Sequence, residues 1–260
     1  MLDIYQELTN LVRQGGRGVL ATVIRSEGSA PRDAGAKMLI KEDGTTVGTV
    51  GGGKLEQQVT KKAIEIMKTG RTEIIHFDLS GKEVGGMICG GQADVFLEPI
   101  SSPETLYLCG AGHISFATAK MGKMLGFSTV VIDPRPEYNN QDRFPDADNL
   151  VVKDYDKAFA ELNITADDYI IIYTPQHTRD EECLRLACGT GAKYIGMIGS
   201  KKKVREIKAH LLKKGISQAK LAAVHAPIGL EIEAETPEEI AVSILAEIIK
   251  VRRTVTAPAG

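Results

Sequence analysis

The stretch Leu106-Tyr107-Leu108-Cys109-Gly110-Ala111-Gly112-His113-Ile114-Ser115 joins a short apolar run to two closely spaced glycines. The apolar run predicts a buried strand, and the glycines predict a tight turn that opens a helix. Backbone N–H groups and the positive end of the helix dipole favour a phosphate at such a turn. Ser115 replaces the third glycine of the G-x-G-x-x-G pattern, so the match is imperfect. The stretch predicts a Rossmann-like unit that binds a phosphorylated ligand.

A second apolar run, at 129–132, ends in Asp133, which lies 23 positions after Gly110. An acidic residue at this place normally meets the hydroxyls of a ribose. Arg135 lies two residues further on, and its guanidinium could contact a phosphate, which favours a phosphorylated ligand over plain NAD. An ion pair within a polar surface loop explains Arg135 equally well.

Apolar runs alternate with helical segments through the rest of the second half, and further strands are expected at 150–152, 169–173 and 194–198. This alternation predicts a parallel sheet covered on both faces. The first half instead combines a few helices with short strands, including a hairpin at Asp43-Gly44. The predicted fold is α/β, with a small N-terminal α+β domain at 1–100, a linker at 101–105 and a Rossmann-like doubly wound domain at 106–260.

The composition limits the partners and the location of the protein. Its 260 residues are 43% apolar and 25% charged, and the formal net charge is −2. This balance offers no general attraction to nucleic acid or to an anionic membrane, so neither partner is expected. No signal peptide is expected from the opening residues, no apolar run has the length of a membrane span, and the four cysteines form no CxxC pair. A cytoplasmic location is predicted.

Two further groups of residues are candidates in the second half. Gly199 and Ser200 precede three lysines; Ser200 is expected to cap a helix, and an anion would relieve the unfavourable position of the lysines in its first turn. A solvated basic helix start is the alternative. His113 and His177 follow predicted strands, where doubly wound sheets bind ligands. Asp180 could orient His177 as an acid–base group or metal ligand, although an ordinary loop histidine explains each residue alone.

The first half contains two glycine-rich candidates. Gly51-Gly52-Gly53 precedes a predicted helix and could hold an anion, with Lys54 adding charge, but the run lacks the P-loop pattern. Cys89 lies before Gly90-Gly91, where an accessible thiol could act as a nucleophile or as a ligand to a soft metal. A buried structural cysteine is an equally good explanation.

These segments together resemble the XdhC/CoxI family of accessory proteins for molybdenum hydroxylases such as xanthine dehydrogenase. The matching motifs follow the order of the family over nearly the whole chain: Glu27-Gly28-Ser29-Ala30-Pro31-Arg32, Val50-Gly51-Gly52-Gly53, Cys89-Gly90-Gly91, Gly110-Ala111-Gly112-His113, Asp133-Pro134-Arg135, Gly199-Ser200, His225-Ala226-Pro227-Ile228-Gly229-Leu230 and Thr236-Pro237-Glu238-Glu239-Ile240-Ala241.

The resemblance implies a protein that binds molybdenum cofactor (molybdopterin), protects it during sulfuration and delivers it to an apo-hydroxylase. It implies a molybdenum hydroxylase and a cysteine desulfurase as partners, and a homodimer is expected through exposed faces of the N-terminal domain. Cys89 is the candidate metal ligand. The cofactor-binding candidates are Gly51, Gly52, Gly53, Lys54, Cys89, Gly110, Gly112, His113, Asp133, Arg135, His177, Gly199 and Ser200.

Two departures from the family pattern change what the resemblance implies. Many relatives have a cysteine directly after the first-domain glycines, where this chain has Lys54, so a thiol role at that position is lost and Cys89 becomes the remaining thiol candidate. The second-domain motif of the family usually continues with Val-Gly, where this chain has Ile114-Ser115.

Three functions compete on these residues. The first is a cofactor chaperone without turnover of its own, which we expect rather than a catalyst. The second is an NAD(P)-dependent oxidoreductase, favoured by the glycine turn and Asp133 but lacking a recognisable group of acid, base and substrate clamp. The third is a regulatory module that binds a nucleotide and changes its affinity for a partner.

Overall fold

The structure is a computed structural model that describes residues 2–28, 32–78, 82–84, 87–89 and 91–254. For Leu2, 82–84 and 87–89 it describes the backbone alone. The chain divides into two compact units, Met1–Ser102 and Pro103–Gly260, which we call the N-terminal and the C-terminal unit.

The N-terminal unit is an antiparallel sheet with helices. Its elements are α1 (Leu2–Arg13), β1 (Arg17–Glu27), β2 (Lys37–Lys41), β3 (Thr46–Gly48), α2 (Gly53–Thr69), β4 (Glu73–Asp78), β5 (Lys82–Val84), β6 (Met87–Cys89) and β7 (Gln92–Ser101). The main sheet has the order β3-β2-β1-β7-β4, and β5 and β6 form a separate ribbon. Helix α2 buries the apolar stripe that its sequence spacing predicts, formed by Leu55, Val59, Ala63 and Ile66.

The hairpin predicted at Asp43-Gly44 is confirmed between the antiparallel strands β2 and β3. Gly44 has a φ of +82°, which a residue without a side chain adopts freely. The carboxylate of Asp43 accepts a hydrogen bond of 2.9 Å from the backbone N–H of Thr45. The turn chemistry of these two residues therefore fixes the register of the two strands.

The C-terminal unit is a parallel sheet between two layers of helices. Its elements are β8 (Thr105–Cys109), α3 (His113–Met124), β9 (Ser128–Ile132), β10 (Asn149–Val151), α4 (Tyr155–Glu161), β11 (Tyr169–Ile172), α5 (His177–Ala187), β12 (Tyr194–Met197), α6 (Lys201–Lys213), α7 (Gln218–Ala222) and α8 (Pro237–Thr254). The strand order is β10-β9-β8-β11-β12, and all neighbours are parallel.

Both faces of this sheet are covered. One apolar core joins the sheet to α4, α5, α6 and α7, and a second joins its other face to α3 and α8. Counted from β8, the strand order is 3-2-1-4-5, which is the classic Rossmann order 3-2-1-4-5-6 without its sixth strand. The α/β prediction with a doubly wound parallel sheet is therefore confirmed.

Helix α8 begins with a capping box, which the spacing of Thr236 and Glu239 predicts. The backbone N–H of Glu239 donates to Oγ1 of Thr236 at 3.2 Å, and the Glu239 carboxylate accepts from the N–H of Thr236 at 3.0 Å. Within the described ranges, no helix combines the length and the apolar character that crossing a bilayer requires.

Candidate functional site

The chain reverses its direction of winding between β8 and β11, which are neighbours in the parallel sheet. In doubly wound sheets a crevice opens at this point, outside the carboxyl ends of the strands. Gly110 follows β8 there, and Thr174 follows β11. The N–H of Gly110 donates to the carbonyl of Ile132 at 2.8 Å, so the turn begins in contact with the neighbouring strand.

The two glycines of the turn Gly110-Ala111-Gly112, which we call the glycine turn, serve different purposes. Gly110 has a φ of +117°, and a Cβ at this position would lie 2.7 Å from the carbonyl oxygen of Tyr173, so only glycine fits. Gly112 has a φ of −81°, which any residue adopts, and a Cβ there would meet no atom within 4 Å. Gly110 is therefore required by the sheet, whereas Gly112 leaves open space at the start of α3.

Asp133 lies at the end of β9 and is fully buried. Its Oδ2 accepts hydrogen bonds from the N–H of Ala111 at 2.9 Å and from Nη2 of Arg135 at 2.7 Å. Its Oδ1 accepts from the N–H of Arg135 at 3.0 Å and from Nε at 2.9 Å. A carboxylate has about four lone-pair positions, and all of them are taken here.

These contacts decide the ionisation of Asp133. Burial raises the pKa of the carboxyl, but the hydrogen bonds from Arg135 and Ala111 outweigh burial and leave the pKa of Asp133 below its ordinary value. The charged carboxylate thus fastens the glycine turn to the end of β9. The expectation from the sequence is that Asp133 meets ribose hydroxyls. In the structure its carboxylate instead accepts hydrogen bonds from Arg135, two residues further along.

A second buried carboxylate lies after β11. Oδ1 of Asp180 accepts from the backbone N–H of Thr174 at 3.0 Å and from its hydroxyl at 2.8 Å, while Oδ2 pairs with Nζ of Lys203. Asp180 is completely buried. A Cβ on Gly199 would lie 2.9 Å from Cδ of Lys203, so the glycine leaves room for the lysine stem that reaches Asp180.

This second pair corrects two expectations. Asp180 does not orient His177, because its oxygens bond to Thr174 and Lys203 instead. The three lysines at the start of α6 are also not alike, since Lys203 is paired with the buried carboxylate and the exposed Lys201 lies 3.6 Å from Glu231. Ser200 caps α6 as predicted, and its hydroxyl accepts from the N–H of Lys203 at 3.2 Å.

Eight of the candidate residues lie at the carboxyl edge of the parallel sheet, because each follows a strand of that sheet. They are Gly110, Gly112, His113, Asp133, Arg135, His177, Gly199 and Ser200. His113 and His177 are both exposed, each at the first position of a helix. The edge therefore combines a glycine turn, two helix starts with exposed imidazoles, and two buried carboxylates that are paired with cations.

The other candidates lie in the N-terminal unit. The turn Gly51-Gly52-Gly53 is expected from the sequence to bind an external anion. In the structure the carboxylate of Glu56, from the same chain, binds there. Oε1 of Glu56 accepts from the N–H of Val50 at 3.2 Å, from the N–H of Gly52 at 2.9 Å and from the hydroxyl of Thr49. Burial raises the pKa of Glu56, and these hydrogen bonds lower it to a net value below the ordinary one. Lys54 is exposed.

The cysteines provide little metal chemistry within the described residues. Cys109, Cys183 and Cys188 are free and buried, and burial raises the pKa of the Cys183 and Cys188 thiols. Cys89 ends strand β6, but its side chain lies outside the described part of the structure, as do Ser29-Ala30-Pro31. Among the described residues no group of three or more His, Cys, Asp or Glu side chains could hold a metal ion.

Sequence reasoning missed a polar cluster on α8 that explains the motif His225–Leu230. The carboxylate of Glu247 accepts from the hydroxyl of Tyr194 at 2.5 Å, from the N–H of Gly229 at 3.0 Å, and lies 3.2 Å from Nδ1 of His225. The imidazole stacks on the Tyr194 ring at 4.4 Å. The motif therefore attaches α8 to the edge of the sheet. No residues close to Glu247 in the sequence predict this contact, because its partners lie 18 or more positions away.

Comparison with protein families gives two matches. A family model described as the XdhC Rossmann domain matches residues 106–248. A second model, described as the XdhC and CoxI family, matches residues 11–78. The two matches lie in the C-terminal and the N-terminal unit respectively.

Three curated proteins are similar over most of this chain. Uncharacterized protein YqeB of Escherichia coli (strain K12) is 33% identical over 100% of this chain, which spans only 48% of YqeB. A probable xanthine dehydrogenase component of Bacillus subtilis (strain 168) is 25% identical over 98% of this chain and 99% of its own. The molybdenum cofactor insertion chaperone PaoD of E. coli (strain K12) is 26% identical over 91% of this chain and 84% of its own.

Solved structures also match this chain, and one of them is similar in both fold and sequence. It is described as a xanthine dehydrogenase from Bacillus halodurans and superposes with a TM-score of 0.54 at 26% identity. The match covers 96% of this chain and 95% of the other. The likeness therefore extends over both units of the chain.

Proposed function

The chain belongs to the XdhC and CoxI family, and on that premise we propose that it is an accessory protein that binds molybdenum cofactor and inserts it into a xanthine dehydrogenase-type molybdenum hydroxylase. PaoD, an insertion chaperone by its name, is similar over both units. We propose residues 1–100 as the XdhC/CoxI-type domain and 106–260 as the domain that binds the cofactor through its phosphate.

The observation that carries this proposal is the open space above Gly112 at the start of α3. Molybdopterin carries a phosphate, and its dinucleotide forms carry a pyrophosphate. A helix start with free backbone N–H groups binds such an anion through hydrogen bonds and the helix dipole. Because a Cβ at Gly112 would meet nothing within 4 Å, the backbone can be approached closely there, and the residues present fit the phosphate end of the cofactor.

The remaining residues of the edge have separate roles in the proposal. Asp133 positions the glycine turn through the N–H of Ala111, and Asp180 positions the end of β11 through the N–H of Thr174. His113 and His177 are exposed at neighbouring helix starts, where each can donate a hydrogen bond to a bound anion. An exposed edge also suits a protein that must release what it binds.

The residues that meet the molybdenum end are a separate part of the proposal. The three described thiols are buried, so none of them meets a ligand at the surface. We propose Cys89 for that contact, as the family resemblance implies, together with sulfuration by a cysteine desulfurase partner. A homodimer and a cytoplasmic location remain predictions.

An NAD(P)-dependent oxidoreductase has less support. In nucleotide-binding sheets the acidic residue after the second strand accepts hydrogen bonds from the ribose of NAD. Asp133 occupies this position, but its acceptor positions are filled by Ala111 and Arg135. The geometry therefore disfavours recognition of an unmodified ribose diol.

Substitution of Gly112 by leucine is expected to abolish cofactor binding without unfolding the protein. The leucine side chain fills the space of the phosphate, and the loss of two charge-assisted hydrogen bonds of about 1.5–3 kcal/mol each weakens binding by more than about 100-fold. The measurement is gel filtration of the protein after incubation with molybdenum cofactor, followed by quantification of pterin and molybdenum in the protein peak.

Gly191→Leu is the matched control, because a Cβ at Gly191 also meets no atom within 4 Å but this residue precedes β12 at the opposite edge of the sheet. Wild type and Gly191→Leu should retain about one pterin per chain, and Gly112→Leu should retain almost none. Equal retention by the two leucine variants would show that the cofactor binds elsewhere.

A further inference from the structure

A tyrosine ring contacts two guanidinium groups close to the glycine turn. Cζ of Arg135 is 4.1 Å from the centroid of the Tyr138 ring, and Cζ of Arg143 is 5.1 Å from it. The tyrosine is 39% exposed, and both arginines are half-buried. We call these three residues the Arg–Tyr–Arg cluster.

The cluster is attached to the glycine turn at two points. Arg135 binds Asp133, whose Oδ2 also accepts from the N–H of Ala111. Nη2 of Arg143 lies 3.5 Å from the carbonyl oxygen of Ala111. A ligand phosphate at the turn would therefore have the cluster beside it, on the side of β9.

The charge of the cluster is only partly neutralised. Asp133 balances Arg135, but within the described residues Arg143 has no carboxylate at ion-pair distance. The cluster and Asp133 together thus carry a net charge of about +1 beside the turn, by counting two guanidiniums and one carboxylate. A guanidinium that stacks on a ring keeps its N–H edge available for an anion. This combination favours a phosphate over a neutral hydroxyl.

The place of the cluster indicates which phosphate it meets. The residues that follow the second strand of a Rossmann-like sheet face the ribose of a nucleotide, either through an acidic residue or through an arginine that accommodates a ribose phosphate. Here the acidic residue is saturated and the arginines are present. We infer that the Arg–Tyr–Arg cluster is a second anion subsite, which selects nucleotides whose ribose carries a phosphate over nucleotides with a free ribose diol.

This inference rests on the proposed ligand site at the glycine turn, but it does not depend on molybdenum cofactor as the cargo. It implies that a ribose-phosphorylated dinucleotide occupies the same turn as the cofactor and competes with it. The chain would then bind a nucleotide of the NADPH class in addition to its proposed cargo.

The test compares two probes that differ only in one ribose phosphate. NADPH and NADH are titrated into the full-length protein, and binding is followed by the fluorescence of the dihydronicotinamide. Wild type should bind NADPH at least about 10-fold more tightly than NADH, since a charge-assisted contact is lost with the phosphate. Arg143→Gln should bring the two dissociation constants within about twofold of each other, mainly by weakening the binding of NADPH.

Arg185→Gln is the control, because Arg185 is an exposed arginine on α5; it should keep the wild-type ratio. Similar affinities of wild type for both probes, no binding of either at millimolar concentration, or a preference that survives in Arg143→Gln would overturn the inference. Retention of molybdenum cofactor by the same preparations is measured in parallel. Cofactor retention without a preference for NADPH rejects the subsite alone, and a preference without retention rejects the proposed cargo alone.

Discussion

Replacement of Asp133 by alanine is expected to lower the free energy of unfolding of the C-terminal unit by about 3 kcal/mol, the low end for a broken buried pair because the Arg135 side chain is 33% exposed. The substitution leaves the N–H of Ala111 and the guanidinium of Arg135 without the carboxylate that both contact. It also removes the tie between the glycine turn and the end of β9, so binding of a phosphate at the turn should weaken together with stability.

Urea unfolding followed by tyrosine fluorescence measures this effect, because six of the seven tyrosines lie in the C-terminal unit and the chain has no tryptophan. Asp146→Ala is the control, since Asp146 is an exposed carboxylate of the same loop; its effect should stay within about 0.5 kcal/mol. A loss below about 1 kcal/mol for Asp133→Ala would mean that the Asp133–Arg135 pair does not hold the turn.

The Asp133–Arg135 pair also makes the stability of the protein depend on pH in the acid range, and the direction of this dependence follows from the pKa of Asp133. The folded state holds the pKa of Asp133 below its unfolded value of about 3.9, so the stabilisation is present above that value and disappears as the pH falls through the lowered pKa. Asp133→Ala should therefore lose less stability than wild type between pH 4 and the lower limit of folding. If the free energy of unfolding falls equally with pH in wild type and in Asp133→Ala, Asp133 is not the group whose protonation destabilises the folded state.

Lys203→Met is expected to lower the free energy of unfolding by about 3 kcal/mol. Asp180 is fully buried, and loss of its ammonium partner leaves a buried carboxylate without a compensating charge. The value lies at the low end for a broken buried pair because the lysine side chain is still 23% exposed. Helix α6 and the end of β11 should loosen together, since Asp180 also holds the N–H of Thr174.

The adjacent lysines provide the control within the same helix turn. Lys201 and Lys202 are exposed, and their replacement by methionine should change the free energy of unfolding by less than about 0.5 kcal/mol. Equal effects at all three positions, measured by the same urea titration, would show that the lysines act as a general basic surface and that the Lys203–Asp180 pair has no special weight.

The sequence is informative where a local pattern has one structural solution. The apolar run before Gly110 and the alternation of strands and helices that follows predict the doubly wound sheet, which the structure confirms. The capping box of Thr236 and Glu239 and the turn at Asp43-Gly44 are predictable for the same reason, because each depends on residues within four positions of one another.

The partners of charged residues cannot be predicted in the same way. Asp133 stands where an acidic residue meets ribose, and only the fold reveals that Arg135 and Ala111 fill its acceptor positions. Lys203 and Asp180 are separated by 23 positions, so no local pattern joins them. A buried carboxylate binds the donors that tertiary packing brings next to it. The local spacing of residues in the sequence does not specify which elements pack together across the sheet.

Glu56 is an intermediate case. It lies four residues after Gly52, and its carboxylate reaches back to that N–H at 2.9 Å, much as a capping box does. The signal is therefore local, because an acidic residue in the first turn of α2 can supply the negative charge that the glycines would otherwise take from an external anion.

Delivery of molybdenum cofactor is the central function proposed for this chain, and a transfer assay measures it. The protein is loaded with cofactor, freed of excess by gel filtration and mixed with an apo-hydroxylase of the xanthine dehydrogenase type, whose activity is then followed. We expect faster and more complete activation by the loaded protein than by an equal amount of free cofactor, with Gly112→Leu no better than free cofactor. Activation that is equal with and without the protein, or unaffected by Gly112→Leu, would mean that the chain does not deliver the cofactor from the glycine turn.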